Sequence, residues 1–352
     1  MNKKVSYMLG MLLAGALFTS CKNGDADFPD YEGGTTVYFP YQTPVRTIVL
    51  GDDEYDTTLD KLHMFQIKAT FGGSRSGSNG NITVVKDPTL LNNLTFEATG
   101  QPVKLMPDSY YDLPATTKWE FNGTYNASVE IELSDDFFND PDAVKNTYVI
   151  PLVITEQAGF DRILKGTLKE NANPTRTDAS QWEVLPMDYV LYCVKFQNKY
   201  SGYWLTHGTT SIDNIEKAQA HAITTKSLNQ SIYRVSFTRK YEAKTYDKDG
   251  NEVRKWEDRV LTTDLLLTFD GSENCTISSL TPGYTAIGTG KWEDDGAKKS
   301  WNNKDRDLME LNYTIDFGVD DYGNAIEKGV THEKMVWQRS GVKTEEFAVK
   351  YN

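Results

Sequence analysis

Ser128-Val-Glu-Ile-Glu-Leu133 alternates apolar and polar residues without a break. In an extended chain successive side chains point to opposite faces, so Val129, Ile131 and Leu133 make one apolar face and the glutamates the other. This is the pattern of a strand with one side in a core and one in water. Phe65, Ile67, Ala69 and Phe71 repeat it upstream. Downstream, Thr147-Tyr-Val-Ile-Pro-Leu-Val-Ile154 is apolar almost throughout, as expected of a strand covered on both sides. Pro151 has no N–H for the ladder, which predicts an edge position or a bulge. Glycine-rich breaks such as Phe71-Gly-Gly-Ser-Arg-Ser-Gly-Ser-Asn-Gly80 separate the runs. Their spacing predicts a sandwich of about seven strands.

Farther along, the strands lengthen. Ser231 to Thr245 and Asn251 to Phe269 flank Asp247-Lys-Asp-Gly250, a strong hairpin signal. Met309, Leu311, Tyr313, Ile315 and Phe317 share a face, and Asp320-Asp-Tyr-Gly-Asn324 then turns the chain into Val330 to Trp337. Long meandering hairpins predict an up-and-down barrel or a strongly curled sheet. The polar stretch Lys169 to Ser180 separates the two halves, giving an expected sandwich over 36–170 and an expected barrel over 181–352. The chain therefore reads as all-β.

Lys3 and Lys4 precede Val5 to Phe18, an uncharged and mostly apolar run too short to span a bilayer. Residues 1–20 read as a secretory signal. Leu17-Phe18-Thr19-Ser20-Cys21 resembles the lipobox of bacterial lipoproteins, although Phe18 stands where Leu or Val is usual. The resemblance implies cleavage before Cys21 and lipid on Cys21. Residues 21–35 then form a lipidated cysteine and a flexible tether. Acidic residues soon after Cys21 resemble the surface-export signal of Bacteroidetes lipoproteins, which implies an outer-membrane protein facing the cell exterior.

The net charge of the 352 residues is −13, and removing Lys3 and Lys4 makes it −13 − 2 = −15. An acidic chain repels phosphate backbones, so nucleic acid is not an expected partner. It repels anionic lipid too, so membrane attachment must come from the lipid anchor. Besides Cys21 there are Cys193, in Val190-Leu-Tyr-Cys-Val-Lys-Phe196, and Cys275, in Asn274-Cys-Thr-Ile277. Export permits a disulfide between them, and two buried free thiols fit equally well.

Motifs for catalysis are missing. The histidines at 63, 207, 221 and 332 form no pair at metal-ligand spacing. The acids of Ser134-Asp-Asp-Phe-Phe-Asn-Asp-Pro-Asp142 lack the spacing of a calcium loop and read as a solvated turn. No Gly-x-Ser-x-Gly elbow and no phosphate loop occurs. Nothing singles out a carboxylate pair for glycoside hydrolysis, so no catalytic residue, metal or cofactor is assigned.

Sugar recognition needs flat apolar faces beside hydrogen-bonding groups. Gly288-Thr-Gly-Lys-Trp-Glu-Asp-Asp-Gly-Ala-Lys-Lys-Ser-Trp-Asn-Asn303 sets Trp292 and Trp301 among charges and glycines, the best candidate surface. Trp256 lies between charges in Arg254-Lys-Trp-Glu-Asp258. Tyr203 and Trp204 follow Gly202, and alternation sends at least one of them into the core. Trp119 reads as sandwich packing.

Thr36-Val-Tyr-Phe39, Leu90-Leu-Asn-Asn93, Pro107-Asp-Ser-Tyr-Tyr-Asp-Leu-Pro114 and Tyr148-Val-Ile-Pro-Leu-Val-Ile154 resemble the adhesin-like domain of surface lipoproteins from Bacteroidetes polysaccharide-utilisation loci. Asn198-Lys-Tyr-Ser-Gly-Tyr-Trp-Leu-Thr-His-Gly208, Lys304-Asp-Arg-Asp-Leu-Met-Glu-Leu-Asn-Tyr313 and Met335-Val-Trp-Gln-Arg339 look like the barrel domain often paired with it. The resemblance implies an immunoglobulin-like sandwich followed by a lipocalin-like antiparallel barrel. It also implies non-catalytic glycan capture beside an outer-membrane importer of the starch-utilisation type. The alternatives are an adhesin or structural subunit of the surface complex, a hydrolase, and a barrel enclosing a small apolar ligand.

Overall fold

The computed structural model describes residues 30–206, 210, 211 and 220–352. The expected signal, Cys21 and His207 lie outside the described residues.

The first half of the chain supplies strands β1 (Thr36–Tyr38), β2 (Pro44–Val49), β3 (Met64–Gly72), β4 (Asn81–Lys86), β5 (Leu94–Phe96), β6 (Lys104–Leu105), β7 (Thr116–Glu120), β8 (Asn126–Glu132) and β9 (Tyr148–Ala158). After them come β10 (Arg162–Ile163), β11 (Thr167–Leu168), β12 (Trp182–Val184) and β13 (Tyr189–Gln197). Two sheets form the sandwich. One has the order β10-β1-β3-β8, and the other contains β2-β13-β9-β4-β7 with β6 beside β9. The alternating faces read from the sequence meet between them. Phe65, Ile67, Ala69 and Phe71 of β3 pack with Ile82, Trp119, Ile150 and Ile154 of the facing sheet. Trp119 is buried edge-on to Phe39, as core packing requires.

All seven residues from Tyr148 to Ile154 are buried because β9 has a core on each side. The second core lies on the outer face of its sheet, where Leu90, Leu94, Phe96 and Val103 cover Val149, Val153, Leu191 and Cys193. Pro151 is not on an edge strand: β9 lies between β13 and β4. The missing N–H falls where the neighbour of β9 changes from β4, paired from Leu152 onward, to β6, paired at Tyr148 and Val149. The bulge in β9 is at Thr155, four residues on, between the pairs Thr83–Glu156 and Val84–Ile154.

The barrel comprises β14 (Gly202–Thr206), β15 (Thr210–Ser211), β16 (Ala220–Ser227), β17 (Gln230–Tyr246), β18 (Glu252–Phe269), β19 (Asn274–Ser279), β20 (Thr285–Ala297), β21 (Arg306–Asp316) and β22 (Gly329–Arg339). Each long strand pairs antiparallel with the next, and β14 pairs with both β16 and β22, so eight strands close on themselves. β15 continues along β22, with Thr210 opposite His332. At the seam Gly202 has φ +125°, and a Cβ there would lie 2.6 Å from the Arg339 carbonyl oxygen. Tyr233, Leu265, Leu267, Leu311, Ile315, Met335 and Trp337 line the interior.

The chain does not leave the sandwich at Lys169–Ser180. β13 follows that stretch and pairs with β2 and β9 in the sandwich sheet. After the barrel, β23 (Glu345–Glu346) returns to β2 and β24 (Val349–Tyr351) to β5. Phe347 between them plugs the outer core of the sandwich. Cys193 and Cys275 are free thiols in different domains, each pushed up to about 12 by burial.

Candidate functional site

The structure divides the stretch Gly288–Asn303. On β20, alternation in a closed barrel points Ala286, Gly288, Gly290 and Trp292 inward. Glycine is needed at two of these positions: a Cβ on Gly288 would lie 2.6 Å from the Tyr313 Cβ, and one on Gly290 2.6 Å from Leu311 Cδ2. Trp292 is only 6 % exposed. It meets Tyr200 edge-on at 5.8 Å and lies under the Lys199 ammonium at 4.3 Å, its indole N–H without a partner. The polar neighbours that suggested an exposed platform are the residues of the opposite face.

Trp301 lies beyond the strand, in a turn where Lys299, Asn302 and Asn303 have positive φ. The turn is held by Ser300 N–H to Lys304 O at 2.8 Å, by Lys299 N–H to Asp305 Oδ1 at 2.9 Å and by the Lys298–Asp305 ion pair. It leaves Trp301 43 % exposed beside a recess of about 640 Å³. Leu205, Val336 and Leu308 are cross-strand neighbours on the outer wall of β14, β22 and β21, and they form an apolar floor. Lys298, Lys299, Ser300, Asn302 and Lys334 surround it. An aromatic face, an apolar floor and a rim of donors are the components of a sugar-binding cleft.

The other aromatic candidates are dispersed. Trp204 is fully buried, its indole donating to Tyr200 O at 3.1 Å, so it offers no ligand surface. Tyr203 is partly exposed beneath the Arg339 guanidinium and lines a separate recess of about 610 Å³ between barrel and sandwich. Trp256 is 61 % exposed on the β17–β18 hairpin, opposite Glu242.

Two further groups stand apart from the aromatic candidates. Tyr41 and Tyr55 are exposed along a groove of about 470 Å³ on the sandwich, with Arg46, Asp53 and Asp56. The signal was an aromatic isolated among acids, Asp52-Asp-Glu-Tyr-Asp56. Inside the barrel, Glu333 accepts hydrogen bonds from Tyr233 and Tyr313, each at 3.0 Å. Its signal was a charge in phase with inward-facing Thr331, Met335 and Trp337.

Near the Trp301 turn, Asp52, Asp295 and Asp307 each bring a carboxylate oxygen within 4.8 Å of the others. Burial pushes the Asp307 carboxyl up to about 7, with Asp52, Asp294 and Asp295 adding repulsion. Three oxygens fall short of the roughly six to eight that calcium takes. Asp52 also holds Lys61 at 2.5 Å, and Asp307 accepts the Asp295 N–H. In the acidic turn read from the sequence, Asp140 accepts the hydroxyls of Tyr110 and Tyr148, an anchor within the sandwich.

Residues 31–161 match a family model described as a "-like, N-terminal domain", and residues 199–341 match a domain of unknown function, DUF5627. No curated protein matches the chain. A Bacteroides ovatus crystal structure of unknown function is 32 % identical, with a TM-score of 0.72 over 92 % of this chain and 100 % of that one. Two further Bacteroides ovatus structures of unknown function are 13 % and 14 % identical. Their TM-scores are 0.38, covering 89 % of this chain and 99 % of that one, and 0.34, covering 77 % and 82 %.

Proposed function

This chain belongs to the family of the Bacteroides ovatus protein of unknown function that it matches over 92 % of its length, and we propose that it is a non-catalytic, glycan-binding surface lipoprotein. In this reading Cys21 carries the lipid, residues 22–35 form the tether, and the protein faces outward from the outer membrane beside a glycan importer. The observation that carries the reading is the Trp301 cleft: a half-exposed indole beside an apolar floor of Leu205, Leu308 and Val336 with amine, hydroxyl and amide groups around it. A pyranose ring stacks its C–H face on the indole, and its hydroxyls meet the lysines and Asn302. The same cleft offers no carboxylate pair among its lining residues, which favours capture over hydrolysis. Isothermal titration of residues 22–352 with oligosaccharides is the test. Binding that is lost in Trp301→Ala and unaccompanied by product release supports the reading. Binding that survives the substitution unchanged moves the site elsewhere.

A further inference from the structure

We propose that the barrel interior holds a second site, where Glu333, Tyr233, Tyr313 and Thr331 receive the primary ammonium group of a small ligand. It goes beyond the glycan reading, because the Trp301 cleft lies on the outer wall of the barrel and this site lies inside it.

On β22 the side chains of Thr331, Glu333, Met335 and Trp337 share the inward face. The Glu333 carboxylate accepts the Tyr313 hydroxyl on Oε1 and the Tyr233 hydroxyl on Oε2, both at 3.0 Å. Both tyrosines are buried, while Glu333 keeps partial exposure. Burial raises its carboxyl above the ordinary range. No lysine, arginine or histidine forms an ion pair with it among the described residues. A buried charge with only neutral partners is costly, and a cation relieves it. Beside it Thr331 is 5 % exposed, and its hydroxyl, next to that of Tyr313, makes no hydrogen bond of good geometry among the described residues. The site thus presents a carboxyl group with only neutral partners, the remaining lone pairs of its two oxygens and a spare hydroxyl oxygen.

An ammonium group supplies what is missing: a positive charge and three donors that spread over separate acceptors. A guanidinium presents its donors in one flat fork, whereas the free acceptors here belong to two different side chains. A neutral hydroxyl leaves the charge unpaired. The surrounding rings favour a cation as well. Tyr233 faces His221 edge-on at 5.5 Å, and Trp337 lines the same interior.

The test is calorimetry and melting of residues 22–352, which contain every described strand, with glucosamine hydrochloride and methylammonium chloride as probes. Glucose and sodium chloride at matched ionic strength are the controls. The proposal expects both amines to bind and raise Tm above the controls. Glu333→Gln then weakens amine binding about tenfold or more, and Thr331→Val weakens it by a smaller factor. Equal responses to glucosamine and glucose, or no amine response in the wild type, would overturn it. So would amine binding that survives Glu333→Gln. Should Glu333→Gln fail to fold, Thr331→Val carries the test, and unchanged amine affinity in that variant also overturns the proposal.

Discussion

Trp292 and Trp301 are nine residues apart in one polar, glycine-bearing stretch, and they have opposite fates. Trp292 lies in phase with the inward face of β20, and Trp301 lies past the end of the strand. Trp292→Ala is expected to cost about 3–5 kcal/mol by leaving a cavity, and Trp301→Ala less than about 1 kcal/mol. Urea unfolding of both variants checks this, and equal losses would contradict the placement. Composition could not separate the two, because the acids and lysines near Trp292 decorate the outer face of its own strand. The strand end that decides the matter was not legible. Asp307 adds a second prediction at this scale. Its folded-state value of about 7 exceeds the ordinary carboxylate value near 3.9. Between those two values the folded protein holds the extra proton, so stability rises as pH falls through that window and is lower above pH 7. Asp307→Asn is therefore expected to be more stable than the wild type at pH 8, by a few kcal/mol at most, with the gap closing near pH 4. A gap that does not change with pH would place the titration elsewhere.

Among elements, the long strands were legible and the two-residue ones were not. The Asp247–Gly250 hairpin stands where its turn chemistry put it, with Gly250 at φ +82°. β6 and β23 carry no periodicity at all, since two residues cannot show a period. For that reason Pro151 read as an edge or bulge residue, although the step from β4 to β6 accommodates it inside the sheet. For the same reason the return of the chain to the sandwich went unseen. β23, Phe347 and β24 close the outer core, so Phe347→Ala is expected to cost about 3 kcal/mol. Hydrogen exchange should then quicken in β2, β5 and β13 and stay unchanged in β17 and β18. Quickening confined to the barrel would contradict the role of this segment as a strap on the sandwich.

For the whole molecule, two all-β domains in the expected order were readable from alternation and turns. The expected barrel closes where β14 meets β22, across more than a hundred residues of chain. The linkage between domains is polar and specific. Ser340, just past β22, donates to Asp53 of the sandwich at 2.7 Å, while Lys199 and Tyr200, just past β13, hold Glu273 within the barrel at 2.7 and 2.8 Å. The motif Asn198-Lys-Tyr-Ser-Gly opens the barrel, where the Asn198 amide donates to Ser227, Gln230 and Ser231, a structural duty. The proposed binding cleft rests on the barrel alone, since its floor is the outer wall of β14, β22 and β21. The central claim is glycan capture on that wall. The measurement that tests it most directly is native affinity electrophoresis of residues 22–352 and of Trp301→Ala through gels containing plant, host and microbial polysaccharides. The account predicts that one class of polysaccharide retards the wild type without releasing sugar and that Trp301→Ala migrates freely. Free migration of the wild type through every gel, or equal retardation of both proteins, would contradict it.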